Sequence, residues 1–338
     1  MSSNTGRKAI VILKKQGSKK DLDLSNYLES FTFTDVAAGS SDSISLGLEN
    51  ISKKFLDSWL PKKGNVFIPK IKFCNWKKDG KNQVISCGKF TLDDFSVSGR
   101  PLSATLNAVS APANSAFTTK QRTKTWKSIT VQQIAKVIAS RYKLKLVYDA
   151  PKITISSLEQ NSTADSSFLN GICEDYALAM KIFAKKLVIY SKAKYESKKA
   201  IKIISESNML SWSYNTTLAG TYTGCKYSYT NPSNNKTVTV NVGKGSRWLT
   251  ANGEASSKAD AQKRAYAAVN NSNEGKTELS FTILADPKII ATANIKITGL
   301  GKLNGKYFIE QVNLSVGGNG GSVMNVKAHK VQQRLPKS

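Results

Sequence analysis

The chain repeats one segment in its first and last thirds. Residues 88–98 (GKFTLDDFSVS) align without a gap on residues 305–315 (GKYFIEQVNLS), sharing Gly, Lys and Ser and matching in kind at Phe/Tyr, Leu/Ile, Asp/Glu, Phe/Val and Val/Leu. The flanking segments correspond in the same order. The further pairs are 43–49 with 278–286, 65–73 with 294–300, and 102–109 with 323–331. Four segments in one order predict an internal duplication, so we expect two β-rich units of one design.

Both outer thirds have the composition of β-structure. Short segments rich in Val, Ile, Phe and Thr alternate with turn residues. Asp79-Gly80 lies between two of them and predicts a tight hairpin, because a type I′ turn needs positive φ at both central residues. The predicted strands are 7–13, 31–34, 43–48, 66–73, 84–87, 90–97 and 102–109, then 211–215, 224–230, 237–242, 278–284, 293–298, 307–315 and 323–328.

The middle third changes to a helical period. Thr130 and Gln133 form a capping box, which opens a helix with apolar residues recurring on one face. The other predicted elements are a strand at 144–148, a helix at 164–177, a hairpin of 180–183 with 187–190, and an Ala-rich helix at 257–270.

The predicted fold is therefore α+β and mostly β. Two related β-barrel-like domains, residues 1–117 and 206–338, are expected to bracket a small α+β module at 118–205. The second barrel-like domain contains one helix. A length of 338 residues is ample for this organisation.

Side chains that could carry catalysis are few. His329 is the one histidine, and no nucleophile motif lies near it, so we expect a structural residue whose replacement by Ala is neutral. Asp93-Asp94 and Glu174-Asp175 are adjacent pairs, and neighbouring side chains on a strand or helix point in different directions. We expect no enzymatic activity, no catalytic, cofactor-binding or metal-binding residue, and no cofactor.

Glycine and cysteine patterns also predict no chemical site. Residues 317–321 (GGNGG) lack a following helix and a Lys-Ser/Thr ending, so they predict a flexible turn and not a phosphate loop. Cys74 and Cys87 flank the predicted hairpin and are expected near each other as reduced thiols. The longest aliphatic run, 9–13, is too short to span a membrane, and the polar N-terminus shows no secretory signal.

The net charge is strongly positive but diffuse. The sequence carries 50 Lys and Arg against 23 Asp and Glu, a formal charge of +27. Residues 1–117, 118–206 and 207–338 carry net charges of +7, +10 and +10. A nucleic-acid-binding protein usually concentrates such charge on one face or helix, so a Lys-rich solvated surface is the simpler interpretation.

Short motifs along the chain resemble those of one protein family. They are Asn75-Trp76, Asp79-Gly80, Cys87-Gly88-Lys89-Phe90, Asp93 and Ser98-Gly99-Arg100-Pro101; Trp126, Thr130-Val131 and Ile134-Ala135; Asp165, Phe168-Leu169, Cys173-Glu174-Asp175 and Ala177; and Gly305-Lys306-Tyr307-Phe308-Ile309-Glu310. In this order, over residues 7–331, they resemble the phage late control gene D family, the baseplate hub proteins of contractile phage tails and related bacteriocins. Asn313, where a histidine is expected, and the high Lys content depart from the family pattern.

The resemblance implies a protein that works by assembly. Such hubs are similar to the base of type VI secretion spikes, carry two related barrel-like domains and form homotrimers. Three chains then place six similar domains around an axial channel, matching a sixfold tail tube on one side and a threefold central spike on the other. The middle module, 118–205, is expected at the periphery.

The resemblance also implies partners and a location. The partners are the tail tube protein, the central spike protein, and the tape measure and other baseplate proteins, with nucleic acid only in transit through the channel. The spike is expected to be a separate protein, because the residues after Val331, 332–338, are too few for a triple β-helix. The location is the tail baseplate of a phage or bacteriocin particle assembled in the host bacterial cytoplasm.

Two other functions compete with the hub. A polyanion-binding protein would use the +27 charge on nucleic acid or cell-wall polymer, and its affinity would fall steeply with salt. A cell-wall hydrolase would need a catalytic constellation, which the sequence does not show.

Overall fold

Strands are the commonest elements of the computed structural model, which describes residues 6–17, 22–76, 78–110, 116–231, 234–319 and 321–336. The strands are β1 (Lys8–Lys15), β2 (Leu22–Asp23), β3 (Leu28–Val36), β4 (Ser43–Glu49), β5 (Val66–Cys74), β6 (Asn82–Ser86), β7 (Phe90–Ser98), β8 (Ser103–Val109), β9 (Gln121–Thr130), β10 (Lys145–Asp149), β11 (Thr154–Ala164), β12 (Leu178–Phe183), β13 (Lys186–Ser191), β14 (Lys202–Ser205), β15 (Ser211–Thr216), β16 (Gly224–Thr230), β17 (Thr237–Gly243), β18 (Trp248–Asn252), β19 (Thr277–Leu284), β20 (Asn294–Thr298), β21 (Gly305–Gly317) and β22 (Ser322–Lys330).

Helices are fewer than strands in the described part of the chain. The α-helices are α1 (Ala116–Thr119), α2 (Val131–Arg141), α3 (Asp165–Asp175), α4 (Lys192–Ser197) and α5 (Lys258–Glu274). Short 3-10 turns occur at Lys54–Leu56, Glu206–Asn208 and Gly301–Leu303. The predicted capping box is present at α2, where the side chains of Thr130 and Gln133 satisfy each other's backbone N–H groups. In the described part of the chain, no helix has the length and apolar character needed to cross a membrane.

One 14-stranded sheet runs through both outer thirds. Its main path is β15-β19-β22-β21-β3-β4-β8-β7-β5-β1-β2, with β6 beside β5, β20 beside β21, and β14 beside β20. The apolar residues of this sheet form a single core, in which Phe31, Leu46, Phe73 and Phe90 pack in one cluster with Tyr307. The predicted mostly β, α+β fold is confirmed.

The strand pairing supports the duplication. In the first unit the neighbours run β5-β7-β8-β4-β3, and in the second unit β20-β21-β22-β19-β15. Every strand that the sequence alignment matches occupies the same place in the two orders. The pairing of β7 with β8 shifts register between Leu92 and Asp94, and that of β21 with β22 shifts between Ile309 and Gln311. These bulges fall at the same position of the alignment, as expected for a structural feature inherited by both units.

The glycines that open the two matched segments are also equivalent. Gly88 has φ +109° and Gly305 has φ +150°, a region that side chains rarely adopt. A β-carbon at Gly305 would lie 3.0 Å from Lys330 Cε. The backbone therefore requires the shared glycine of the repeat where each segment begins.

The units differ at their ends. β1 pairs antiparallel with β5, whereas β14 pairs parallel with β20. The second unit also holds an insertion between β15 and β19. There, β17-β16-β18 forms a separate sheet that packs against α5 around its own core, including Cys225, Val240 and Ala265. The corresponding β3–β4 connection in the first unit is only a short loop, 37–42.

The middle module has its own small core. Parallel β10 and antiparallel β12 flank β13, and α2 and α3 pack with this sheet. The predicted strand at 144–148 and the predicted hairpin are present as β10, β12 and β13. The long polar pair β9–β11 has no counterpart among the predicted strands, because its residues are mostly exposed and lack regular apolar alternation.

Equivalent core positions beside the two bulges provide a test of this packing. We expect Leu92→Ala and Ile309→Ala each to lower the free energy of unfolding by about 2–5 kcal/mol, because both side chains are buried in the shared core. Val84→Ala, at a position 59% exposed on β6, should change it by only about 0.5 kcal/mol. Denaturant unfolding measures all three, and a loss below about 1 kcal/mol at either core position would contradict the shared core.

Candidate functional site

The two β units are joined by main-chain pairing between β3 and β21. The register runs from Gln311 opposite Val36 to Gly317 opposite Ser30. Ala37 N donates to Glu310 O at 2.7 Å immediately beyond one end of the register. We call this antiparallel pairing the in-chain joint. It makes the two units one continuous sheet.

A buried lysine of the middle module lies beside the in-chain joint. Lys181 Nζ on β12 lies 2.9 Å from Asp35 Oδ1 and 3.2 Å from Asp42 Oδ1. Asp35 Oδ2 also accepts from Ala291 N of the second unit at 2.8 Å. Burial raises the pKa of Asp42 to about 6 against the opposing effect of Lys181. The Asp35 carboxylate, on a strand of the first unit, thus contacts both the module and the second unit.

Six charged side chains from five parts of the chain meet beside β22. They are Lys192, Glu196, Glu274, Glu310, His329 and Arg334. We call this set the ion network. It connects α4 of the module, α5 of the insertion, strands β21 and β22, and the segment after β22. With His329 protonated, three cations balance three carboxylates.

His329 lies at the centre of the ion network. Its Nδ1 is 2.9 Å from Glu310 Oε1, and its Nε2 is 3.2 Å from Glu196 Oε1. Because a carboxylate faces each ring nitrogen, both nitrogens donate and the ring is an imidazolium. Arg334 Nε donates to Glu196 Oε2 at 2.8 Å, and its Nη2 donates to Glu274 Oε1 at 3.0 Å.

The network shifts the pKa of both buried partners. Burial alone lowers the pKa of His329, but the hydrogen bonds to Glu196 and Glu310 outweigh it and raise that pKa to about 9. Burial alone raises the pKa of Glu196, but hydrogen bonds from His329 and Arg334 lower it to about 2. Both groups are therefore charged across the neutral range.

Part of the network has the spacing of a metal site. Glu196, Glu274 and His329 bring one ligand atom each within 4.8 Å of one another. Arg334 donates to both carboxylates, so its guanidinium already supplies the positive charge between them. The donor set fits an internal ion network better than a metal centre.

The structure changes the expectation for His329. The sequence predicts that His329 is a structural residue and that its replacement by Ala is neutral. In the structure the side chain is buried and hydrogen-bonded to two carboxylates. Its removal leaves Glu196 with one cation fewer in a buried position, which costs stability. Its partners are 19 and 133 residues away in sequence, so no local pattern marks this contact.

The adjacent carboxylate pairs form no shared acid–base site. Asp93 and Asp94 are exposed beside the bulge of β7. Asp175 is paired with Arg264, and Glu174 accepts from the side chain of Asn170 at 2.8 Å. A cavity of about 490 Å³ between α3 and the inserted sheet includes Asp175 and Arg264 in its wall. Burial raises the pKa of Asp175, and the pairing with Arg264 opposes that shift.

The cysteine and glycine predictions have different outcomes. Cys74 is the last residue of β5 and lies opposite Asn82, whereas Cys87 N donates to Pro69 O, five residues earlier on that strand and roughly 16 Å away. The expectation that they are close is wrong. All four cysteines are free thiols. In the glycine-rich segment 317–321, residue 320 lies outside the described residues, and residues 318–319 form a turn between β21 and β22.

Comparisons with known proteins identify the fold. No protein-family model and no curated protein sequence matches the chain. Its structure is similar to a 43 kDa tail protein of prophage MuSo2 from Shewanella oneidensis, with 13% identity, 95% and 98% of the two chains covered, and a TM-score of 0.70. A tail protein from Neisseria meningitidis covers 96% of this chain and 97% of its own, with 11% identity and a TM-score of 0.72.

A third similar structure comes from a secretion system. It is the E. coli c3393 protein, a type VI secretion component described as structurally similar to the phage T4 tail proteins gp27 and gp5. The match covers 95% of this chain and 77% of that one, with 9% identity and a TM-score of 0.63. At these identities the likeness establishes the fold, and that fold is the one expected from the sequence motifs.

The ion network predicts a pH-dependent contribution to stability. Because the pKa of His329 is raised from 6.5 to about 9, its contribution is full below about pH 6.5 and is lost as pH rises through 9. We expect His329→Gln to lower the free energy of unfolding by about 3 kcal/mol at pH 6 and by much less at pH 10. Denaturant unfolding at both pH values measures the difference. Lys330→Gln, on the same strand, is the control, and an equal loss at both pH values would contradict the charged network.

Proposed function

We propose that this chain is the baseplate hub protein of a contractile tail or injection particle. The observation that carries the proposal is a fold shared over nearly the full length with a prophage tail protein and with a tail protein from Neisseria meningitidis. Its similarity to a type VI secretion component agrees with a role in an injection apparatus. As a hub, the chain forms a homotrimer that joins the sixfold tail tube to the threefold central spike.

The duplicated β unit gives a physical reason for this role. Three copies of a chain with two similar units provide six similar units around one axis. A closed ring can therefore present approximate sixfold symmetry to one neighbour and true threefold symmetry to another. A chain with a single unit could match only one of them.

The proposed partners follow from this position. They are the tail tube protein, the central spike protein, and the tape measure and other baseplate proteins. Nucleic acid or protein passes through the axial channel without a dedicated binding site. The particle is a phage or bacteriocin assembled in the cytoplasm of the host bacterium, with the middle module at the periphery of the hub.

The hub acts without catalysis in this proposal. Beside the cavity between α3 and the inserted sheet, the half-exposed Asp175 is paired with the buried Arg264. The ion network likewise uses its charges internally. These groups hold the module and the insertion against the sheet.

The high charge makes salt a useful variable. Each chain carries +27, so like-charge repulsion opposes trimer formation at low salt, and added salt screens it over about 8–10 Å. Acidic surfaces on the tube or spike protein would relieve the same repulsion. Partner binding should then weaken as salt rises. We propose that two features together relieve this repulsion, namely lysines that face outward into solvent and acidic surfaces on the partner proteins.

Light scattering tests the hub against the polyanion-binding alternative. We expect the purified chain, at increasing concentration in physiological salt, to approach three times the 36.8 kDa chain mass. Binding to heparin or duplex DNA should be weak, without the steep salt dependence of a dedicated polyanion-binding protein. A persistent monomer that binds DNA tightly at low salt, with a steep loss as salt rises, would contradict the hub.

A further inference from the structure

The in-chain joint has an unpaired counterpart at each end of the duplicated structure. By the repeat, β7 in the first unit corresponds to β21, and β15 in the second unit corresponds to β3. Beyond Leu92, β7 pairs only with β8 in the described part of the chain, so its other edge is open from residue 93 to 98. Likewise β15 pairs only with β19 among the described strands. The two strands whose counterparts pair within the chain are both open edges.

The open edge of β7 begins where the in-chain joint begins on β21. Gly64 N donates to Leu92 O, and Leu92 N donates to Asn65 O. In the second unit, Thr292 N donates to Ile309 O, and Ile309 N donates to Ala293 O in the same way. After this shared contact, β21 turns its edge to β3, whereas β7 meets no further strand on that side among the described residues.

We propose that β15 of one copy pairs antiparallel with β7 of a second copy, repeating the in-chain joint between molecules. This inference rests on the proposed hub function and names the interface by which the trimer forms. The register follows from the in-chain joint, in which Asn313 lies opposite Thr34. By the repeat, Asn313 corresponds to Ser96. Thr34 pairs with the first residue of β4, and Asn215 pairs with the matched residue of β19, so Thr34 corresponds to Asn215. The resulting opposed pairs are Phe95 with Thr216, Ser96 with Asn215, Val97 with Tyr214, and Ser98 with Ser213.

The exposure of apolar side chains fits a missing neighbour. Trp212 on β15 is 42% exposed, whereas its counterpart Phe31 on β3 is 1% exposed. Phe95 and Val97 are only partly buried, whereas their counterparts on β21 lie fully in the core. A second copy at this edge would cover Trp212, Phe95 and Val97, just as the in-chain joint covers their counterparts.

The β15 edge also lacks the usual protection against strand pairing. Natural edge strands carry lysine, proline or inward charges that prevent association. Residues 207–225 contain no charged residue, although charged residues make up 22% of the chain. β15 is built from Ser, Trp, Tyr, Asn and Thr, which are compatible with pairing.

The proposed β15–β7 contact is head-to-tail, so further copies add to the free ends until the assembly closes into a ring. One copy offers β15 and the next offers β7, so each copy makes two different contacts with its neighbours. Such an interface gives a ring when the rotation closes and a filament when it does not. If the two units of each chain occupy successive places in the ring, closure occurs at three copies.

Disulfide trapping tests the register. We expect the double variant Ser96→Cys with Asn215→Cys, on mild oxidation, to give intermolecular species up to three chains and no larger on a non-reducing gel. The control is Ser96→Cys with Ser211→Cys. It places the second thiol on the same face but about 13 Å away along β15, beyond the reach of a disulfide. Trapping accumulates even transient pairs, so weak association of the isolated chain is sufficient.

A charge substitution provides an independent measurement. Trp212→Lys should raise the dissociation constant of the trimer by roughly tenfold or more, because a lysine would be buried at the contact. Val137→Lys, at an equally exposed 42% position on α2, introduces the same charge away from the edge and should change the constant by about twofold or less.

The outcomes separate this inference from the proposed function. A trimer by light scattering with no in-register disulfide, or with equal yields for both cysteine pairs, overturns the interface while leaving the hub intact. A ladder beyond three chains overturns closure at three copies. Absence of any self-association overturns both.

Discussion

The β3–β21 pairing is the interaction on which the rest of the molecule depends. It turns two copies of one β unit into a continuous sheet with a single apolar core. Main-chain hydrogen bonding sets the relative position of the units directly, so their geometry does not depend on a flexible linker. The in-chain joint pairs β3 with β21. Their counterparts in the repeat, β15 and β7, are both open edges in the described part of the chain.

Buried charges hold the less regular parts against this sheet. Lys181 attaches the module to Asp35 at the joint, and the ion network ties α4 and α5 to β21 and β22. Removing one charged side chain from such a group lowers the free energy of unfolding, because it leaves a buried charge unpaired. Glu310 belongs to this network and is also the bulge residue of β21, whereas its counterpart Asp93 is exposed. At the bulge of the second unit, the Glu310 carboxylate therefore faces His329.

Much of the fold is predictable because its pattern is local. Alternating apolar residues mark β4 and β8, the Thr130–Gln133 capping box marks α2, and the repeat beginning at Gly88 and Gly305 relates the two units. The polar pair β9–β11 is not predictable in this way, because two mostly exposed strands leave no apolar alternation. The ion network is not predictable either, since Glu196 and His329 come together only through the tertiary fold. The two open edges become visible only when the pairing of both units is known.

A cryo-EM reconstruction of a tail particle assembled with this chain is the decisive measurement for the joint and its repetition between copies. We expect a hub of three copies at the base of the tail, with six similar β units around one axis. Within each chain β3 lies against β21, and between chains β15 lies against β7 in the same register. A ring of six copies, or a trimer in which β7 and β15 meet no neighbouring strand, would contradict it.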